Sequence, residues 1–203
     1  MDMLVLHAFA DHLAIAIENA RLYGDLRKHA DQLSSIAEVT NAITSILDLD
    51  ELLDVVVRLL HKKLGYAHVH VFIVQPMRQQ ICYQAGDELA SFSQQEKSID
   101  FDLKDTQHFI PWVVQNGTTT IISDTEDHPM YQRWNGESLA VRSEIAVPLI
   151  FGDRVLGVLD LQSETPNSYT AEDQVLLEVL GANIAVAIRN ANLYHTEQWR
   201  RQV

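Results

Sequence analysis

Residues 14–23 read AIAIENARLY and residues 185–194 read AVAIRNANLY, identical at seven of ten positions and 171 residues apart. The same shift lays Asp2 on Asp173, Ile17 on Ile188, Asn19 on Asn190 and Leu22-Tyr23 on Leu193-Tyr194. A repeat of that period makes the first helix the counterpart of the last, so the chain reads as a piece of a tandem array. The expected order is the C-terminal helix of a preceding domain over 1–23, a connecting helix over 24–47, a complete domain over 48–195 and the start of a further connector over 196–203.

From Met1 to Leu47 there is no proline and a single glycine, Gly24, and apolar residues recur at helical spacing, which predicts one long helix or two nearly continuous ones. Within it Leu22, Leu26, His29, Leu33, Ile36, Thr40, Ile43 and Leu47 fall on alternating steps of four and three. Two partners suit such a stripe, the core of its own domain or a second chain. The second predicts a homodimer whose helix residues are Leu22, Leu26, Leu33, Ile36, Ile43 and Leu47. At the other end Thr170 and Asp173 cap a helix that meets no proline before Val203 and is long enough to run beyond the domain beneath it.

Between these helices the pattern changes period. Asp48 followed by Glu51 forms a capping box ahead of an apolar stripe from Leu49 to Leu64, closed by Gly65. AHVHVFIV (67–74) and QQICYQAG (79–86) read as a hairpin turning near Pro76, and Ile99, Phe101 and Leu103 alternate as in an edge strand. EIAVPLI (144–150) and VLGVLDLQ (155–162), joined by FGDR, are apolar on nearly every residue and read as a second, central hairpin. Residues 106–141 are irregular, with a short helix IPWVVQNG, a strand TTTIIS and a polar, aromatic loop.

Charge and cysteine usage narrow the function. Fifteen Lys and Arg against 28 Asp and Glu give a net charge of -13 with no basic cluster, which argues against nucleic acid as a partner. Cys82 is the only cysteine, so an internal disulfide, a two-thiol redox pair and an all-cysteine metal cage are excluded, and a reducing cytoplasmic setting fits. No apolar run has the length of a membrane span, and the first residues lack a signal peptide's features, so no membrane contact is expected of this segment.

A sheet with two apolar faces must be covered twice. The capped helices take one side and leave 106–141 for the other, an irregular cover that can enclose a cavity. His68, His70, Phe72 and Val74 share the face assigned to that side. The candidate ligand-binding residues are His70, Phe72, Tyr83, Trp112, Asp124, Tyr131, Trp134 and Arg142, a polar and aromatic mixture of the kind that lines small-molecule sites. Each also suits ordinary packing or solvent exposure. A more distant reading places a metal or redox sensor on His68, His70 and Cys82, but no fourth ligand has a fixed position, and no metal site is expected. No nucleophile, base and oxyanion set has interpretable spacing, so no enzyme is expected.

The segment RSEIAVPLIFGDRVLGVLDLQSETPNSYTAEDQVLLEVLGANIAVAIRNANLY (142–194) resembles the C-terminal half of a GAF domain, and LLDVVVRLLHKKLGYAHVHVFIV (52–74) resembles its opening helix and strand. The resemblance covers about residues 48–195 and rests on the order of RSEIAVPL, GVLDLQS and the helix start at Tyr169 to Asp173. It implies an α+β fold: a central antiparallel sheet of five or six strands, long helices on one face, and a loop and short-helix cover over a small-molecule pocket on the other. It further implies a bacterial multidomain signalling receptor of the sensor histidine kinase or diguanylate cyclase type, with a preceding GAF-like domain and a downstream output domain as partners. Free methionine sulfoxide reduction in this family needs a second cysteine. Bilin attachment needs a cysteine in the region equivalent to 106–141, which has none, so no bilin is expected and the cofactor is left unknown. Two roles stay open: a small-molecule-sensing, dimerising regulatory module, or a ligand-free dimerising spacer that only relays conformational change.

Overall fold

The local signals of the sequence each settle one element. In this computed structural model, which describes residues 3–86, 100–126, 128 and 141–202, the proline-free start is one helix, α1 (Met3–Thr44). Asp48 accepts from the Glu51 amide at 3.0 Å and opens α2 (Leu49–Leu64), which ends where Gly65 takes the left-handed φ of 78° that a side chain disfavours. Its buried stripe is Leu52, Leu53, Val56, Val57 and Leu60.

The strands follow as β1 (His68–Gln75), β2 (Gln80–Gly86), β3 (Asp100–Asp102), β4 (Thr120–Ile122), β5 (Ser143–Phe151) and β6 (Arg154–Ser163). The helix α3 (Phe109–Asn116) stands between β3 and β4, and α4 (Ala171–Gln202) ends the chain. All pairs are antiparallel and the order is β3-β2-β1-β6-β5-β4, so β1 and β6 meet at the centre and the expected edge strand, β3, is at an edge. This is the α+β sheet expected from the sequence, with six strands.

The centre of the sheet is apolar on both faces. On one, Val69, Val71, Ile145, Val147, Leu159 and Leu161 are buried under α2 and α4, and Gly181 lets α4 approach until an added Cβ would stand 3.1 Å from Val147. On the other, α3 seals Phe72, Ile81, Ala146 and Val158 with Phe109, Ile110, Val113 and Val114. Gly157 makes the central pairing possible, because a Cβ there would collide with the backbone oxygen of Phe72.

A β-bulge corrects one sequence expectation. His70 pairs with Gly86 and Val71 with Ala85, but Phe72 then pairs with Tyr83, leaving Gln84 as the extra residue. A one-residue slip exchanges faces, so Tyr83 joins His70 and Phe72 while Cys82, opposite Ile73, turns to the helix-covered face. Cys82 and the His68–His70 pair therefore lie on opposite faces. Among the described residues no three His, Cys, Asp or Glu side chains are placed to hold a metal ion.

Contacts divide the chain into 1–38 and 39–203. In the first unit every residue from Asp11 to Gly24 is exposed, including Leu22, and further along Leu26 is too. In the second, Val39 and Ile43 are buried in the core, so Ile43, expected in an intermolecular stripe, anchors its helix to the domain instead, while Leu47 is 39% exposed. The side chains of Leu33 and Ile36 lie outside the described residues.

The start of α4 is tied to the sheet. Thr170 donates its amide and hydroxyl to Asp173 at 2.9 and 2.7 Å, Asp173 returns its amide to the Thr170 hydroxyl, and Tyr66, just ahead of β1, donates its phenol to Asp173 at 2.9 Å. Burial pushes the Asp173 carboxyl up, but these donors outweigh it and hold the group below its ordinary value. A lowered pKa contributes stability that is complete above the unfolded value, about 3.9, and is lost as pH falls through the folded one. Asp173→Ala should lower Tm at pH 7 by roughly 2–4 °C, about 1 kcal/mol for a lost cap. Thermal melts should show the gap closing toward pH 2, and a gap that widens in acid would contradict the assignment.

Candidate functional site

The face of the sheet away from α2 and α4 is divided along the strands. Where α3 covers it, the surface is apolar: Phe72 and Tyr83 meet edge to face at 5.8 Å, Phe101 is 5.9 Å from Phe72, and Trp112 of α3 packs against the same cluster. Helix α3 is held at its start by Asp105, which accepts from the amides of Gln107 and His108 and contacts the His108 ring nitrogen at 2.6 Å. Phe72, Tyr83 and Trp112, expected from the sequence to line a pocket, are thus brought together as one packed aromatic group.

Toward the end of β6 and the start of β1 the same face becomes polar. Register runs Ala146, Asp160, His70 and Gly86 across β5, β6, β1 and β2, and one step further Ile122, Glu144, Gln162 and His68 across β4, β5, β6 and β1. His70 and Asp160 are each 1% exposed, with His70 Nδ1 3.2 Å from Asp160 Oδ2. Gln162 donates to the same Oδ2 at 3.1 Å, and Glu144 is 3% exposed. Gly86 is part of this construction, since a Cβ there would run into the Tyr83 hydroxyl and the His70 ring, which lie 6.1 Å apart by ring centres.

Tyr169, in the loop that leads to α4, lies within electrostatic reach of both carboxylates. Burial raises its phenol well above the ordinary value, and Asp160 and Glu144 add to the rise. Its ring is 6.4 Å from that of Tyr66, whose phenol, raised by burial and by Asp173, ends on the α4 cap. Tyr169 thus stands between the electrostatic reach of the buried band and the ring of Tyr66, which donates to the first turn of the last helix.

Asp124 and Arg142 come together at the end of the band. The guanidinium donates from Nε at 3.2 Å and from Nη2 at 2.8 Å to the two carboxylate oxygens, and with the Glu126 amide it holds the Asp124 carboxyl below its ordinary value. The pair is half-buried, so water screens it and its contribution is orientation more than stability. Thr125, between them in register, donates to the Val141 carbonyl at 2.6 Å and fastens the loop. Tyr131 and Trp134, the remaining expected ligand residues, lie outside the described residues. A separate depression of about 290 Å³ opens on the other face, between Gly117–Thr119, β5 and Glu178 and Ala182 of α4.

The residues that sequence reasoning missed are Asp160, Glu144, Tyr169 and Gly86. Their signal was present: Asp160 interrupts VLGVLDLQ and Glu144 opens EIAVPLI, each a lone carboxylate in a run otherwise buried on both faces. Such a group costs several kcal/mol to bury unless it has a partner.

Relatives share this architecture. The DNA-binding transcriptional activator HyfR of Escherichia coli is 24% identical over 176 residues, which take in 84% of this chain and 26% of that protein, so the chain spans about a quarter of its length. The GAF domain from a phosphoenolpyruvate-protein phosphotransferase of Coxiella burnetii has a TM-score of 0.73 at 16% identity, over 82% of this chain and 98% of that one. The free methionine-R-sulfoxide reductase of Neisseria meningitidis, in complex with its substrate, has a TM-score of 0.69 at 18% identity, over 80% and 91%. At these identities the structures speak for the fold. With the family model for the GAF domain matching residues 46–189, the chain belongs to the GAF domain family.

Proposed function

We propose that this chain is a non-catalytic, small-molecule-sensing and dimerising regulatory module of a multidomain signal-transduction protein. The observation that carries the reading is the buried polar band of His70, Asp160 and Glu144 on the face that the long helices leave free. Polar side chains withdrawn from water beside an aromatic group are what a small-ligand site requires and what a purely structural sheet avoids. Tyr169, electrostatically coupled to both carboxylates, and Tyr66, bonded to Asp173, offer an occupied band a route to α4.

The reading is non-catalytic because the chemistry that a reductase of this fold performs has no counterpart here. Cys82 faces the helices, and burial, with the Asp100 carboxylate, pushes its thiol up to about 11 against a smaller opposing effect of Arg78. A thiol so raised is a poor nucleophile at neutral pH.

Dimerisation and the tandem order rest on one comparison. In α4, Ala185, Ala187, Ile188 and Ala191 are buried against the domain, whereas their counterparts Ala14, Ala16, Ile17 and Ala20 in α1 are exposed. The same sequence with the same face calls for the same kind of surface, here the sheet of a preceding GAF-like domain. The exposed Leu22 and Leu26 continue into a stripe for a partner chain, and Val175, Val179, Val186 and Leu193 offer a second exposed apolar line along α4. The proposed partners are thus a second copy of the chain, the preceding GAF-like domain and a downstream output domain of the histidine kinase or diguanylate cyclase type, in a cytoplasmic protein. A relative that is a transcriptional activator, most of it outside the matched segment, supports a regulatory setting.

Native mass spectrometry of the purified chain should find a small molecule retained by the folded protein and released on unfolding. A uniformly ligand-free mass, with no stabilisation by any pool of metabolites, would leave the spacer role in its place. Light scattering at tens of micromolar should give a dimer for the wild type and a monomer for Leu22→Asp with Leu26→Asp. A wild type that stays monomeric, or a variant that dimerises equally well, would remove the dimer.

A further inference from the structure

The depression on the helix-covered face interrupts an apolar surface that the domain itself leaves exposed. It is lined by Val147, Pro148 and Ile150 of β5, by Glu178 and Ala182 of α4, and by the turn Gly117–Thr119 that leaves α3. Exposed side chains continue from it in both directions, Val175, Val179 and Val186 along α4 and Ile150 and Phe151 at the end of β5. A domain that works alone seldom shows a contiguous apolar surface of this kind. On α4 the exposed line steps by four, three and four residues through Val175, Val179, Ala182 and Val186, the spacing of a ridge on which a second helix packs. At about 290 Å³ the depression falls just short of the usual range for small-ligand pockets and suits one long side chain.

Charge selects that side chain. Among the described residues Glu178 is the one charged group lining the depression, and it accepts from Gln174 at 2.9 Å. Gly117, in a left-handed conformation, ends α3 there, so the carbonyl end of that helix adds partial negative charge. We propose that the groove between α4 and the end of β5 docks an amphipathic helical segment of a partner protein, apolar on one face, with a lysine or arginine that enters the depression. The methylenes of that side chain lie along Val147, Ile150 and Ala182, and its cation reaches Glu178. A second copy is a poorer occupant. Arg189 follows Val186 on the same outward line, its guanidinium 5.9 Å from the centre of the Phe151 ring, and two copies of α4 running in one direction set Arg189 against Arg189. A partner held in the groove touches α4 and the turn out of α3 together, whatever the buried band holds.

The test uses the full chain and two synthetic helical peptides of about fifteen residues with the same leucine face, followed by fluorescence anisotropy. One carries lysine and alanine at its remaining positions, the other glutamate and alanine. The lysine peptide should bind saturably and the glutamate peptide should not. Glu178→Gln should weaken the lysine peptide about threefold to fivefold, the scale of one partly exposed ion pair. Glu172→Gln, at an exposed acid in the first turn of α4 outside the depression, should leave binding unchanged. Ala182→Phe, at an exposed position, should fill the depression, weaken binding by at least about tenfold and leave Tm unchanged. Equal losses from Glu178→Gln and Glu172→Gln would reduce the attraction to the net charge of -13 and overturn the proposal. Binding of the glutamate peptide, no saturable binding of either peptide, or wild-type binding by Ala182→Phe would overturn it too. A wild-type dimer that Ala182→Phe converts to monomer in light scattering would make a second copy the occupant and overturn it as well.

Discussion

Strands β1 and β6 pair through the centre of the sheet and are buried on both sides through their middle stretches, so neither face can be left to water. Everything else answers that requirement. One face is met by helices whose stripes repeat every three or four residues, α2 through Leu52, Leu53, Val56 and Leu60 and α4 through Leu177, Leu180, Ile184 and Ile188. Regular helices leave little room between themselves and a sheet, and Gly181 on Val147 shows how closely they approach. Among the described residues the opposite face is met by one short helix, α3. The proposed site accordingly falls on the second face.

The polar residues then sit where the apolar rule is broken. A fold that needed only stability would place leucine or valine at 144 and 160, since replacing buried ionic groups by apolar ones is often neutral or stabilising. Glu144 and Asp160 bury carboxyl groups instead, and His70 and Gln162 meet Oδ2 of Asp160. In the proposed reading that expense is functional, and Tyr169, electrostatically coupled to both carboxylates, stands beside the Tyr66 ring whose phenol donates to the cap of α4.

The parts legible in the sequence are those decided within a few residues. The boxes at Asp48–Glu51 and Thr170–Asp173, the helix stops at Gly65 and Gly117 and the two hairpins are set by turn and cap chemistry that acts locally. What the sequence hid depends on pairing at a distance. The bulge beside Phe72 turns Tyr83 toward the site and Cys82 away from it, and no periodicity announces one extra residue in a strand. Ile43 shares the heptad spacing of Leu22 and Leu26 yet is buried in the domain, because spacing gives a stripe and not its occupant. His70 was found from its face, whereas Asp160 was passed over, since its partner across β6 appears only once the register is known.

The central claim is that the buried band exists to hold a ligand and not to hold the sheet together. A high-resolution crystal structure of the chain as purified, without added ligand, tests it most directly at Asp160 Oδ1. The account predicts density for a small molecule larger than water within hydrogen-bond distance of that oxygen, between the sheet face and its cover. A side chain of the protein itself donating to Asp160 Oδ1, with the cover packed solid over Glu144 and His70, would contradict it.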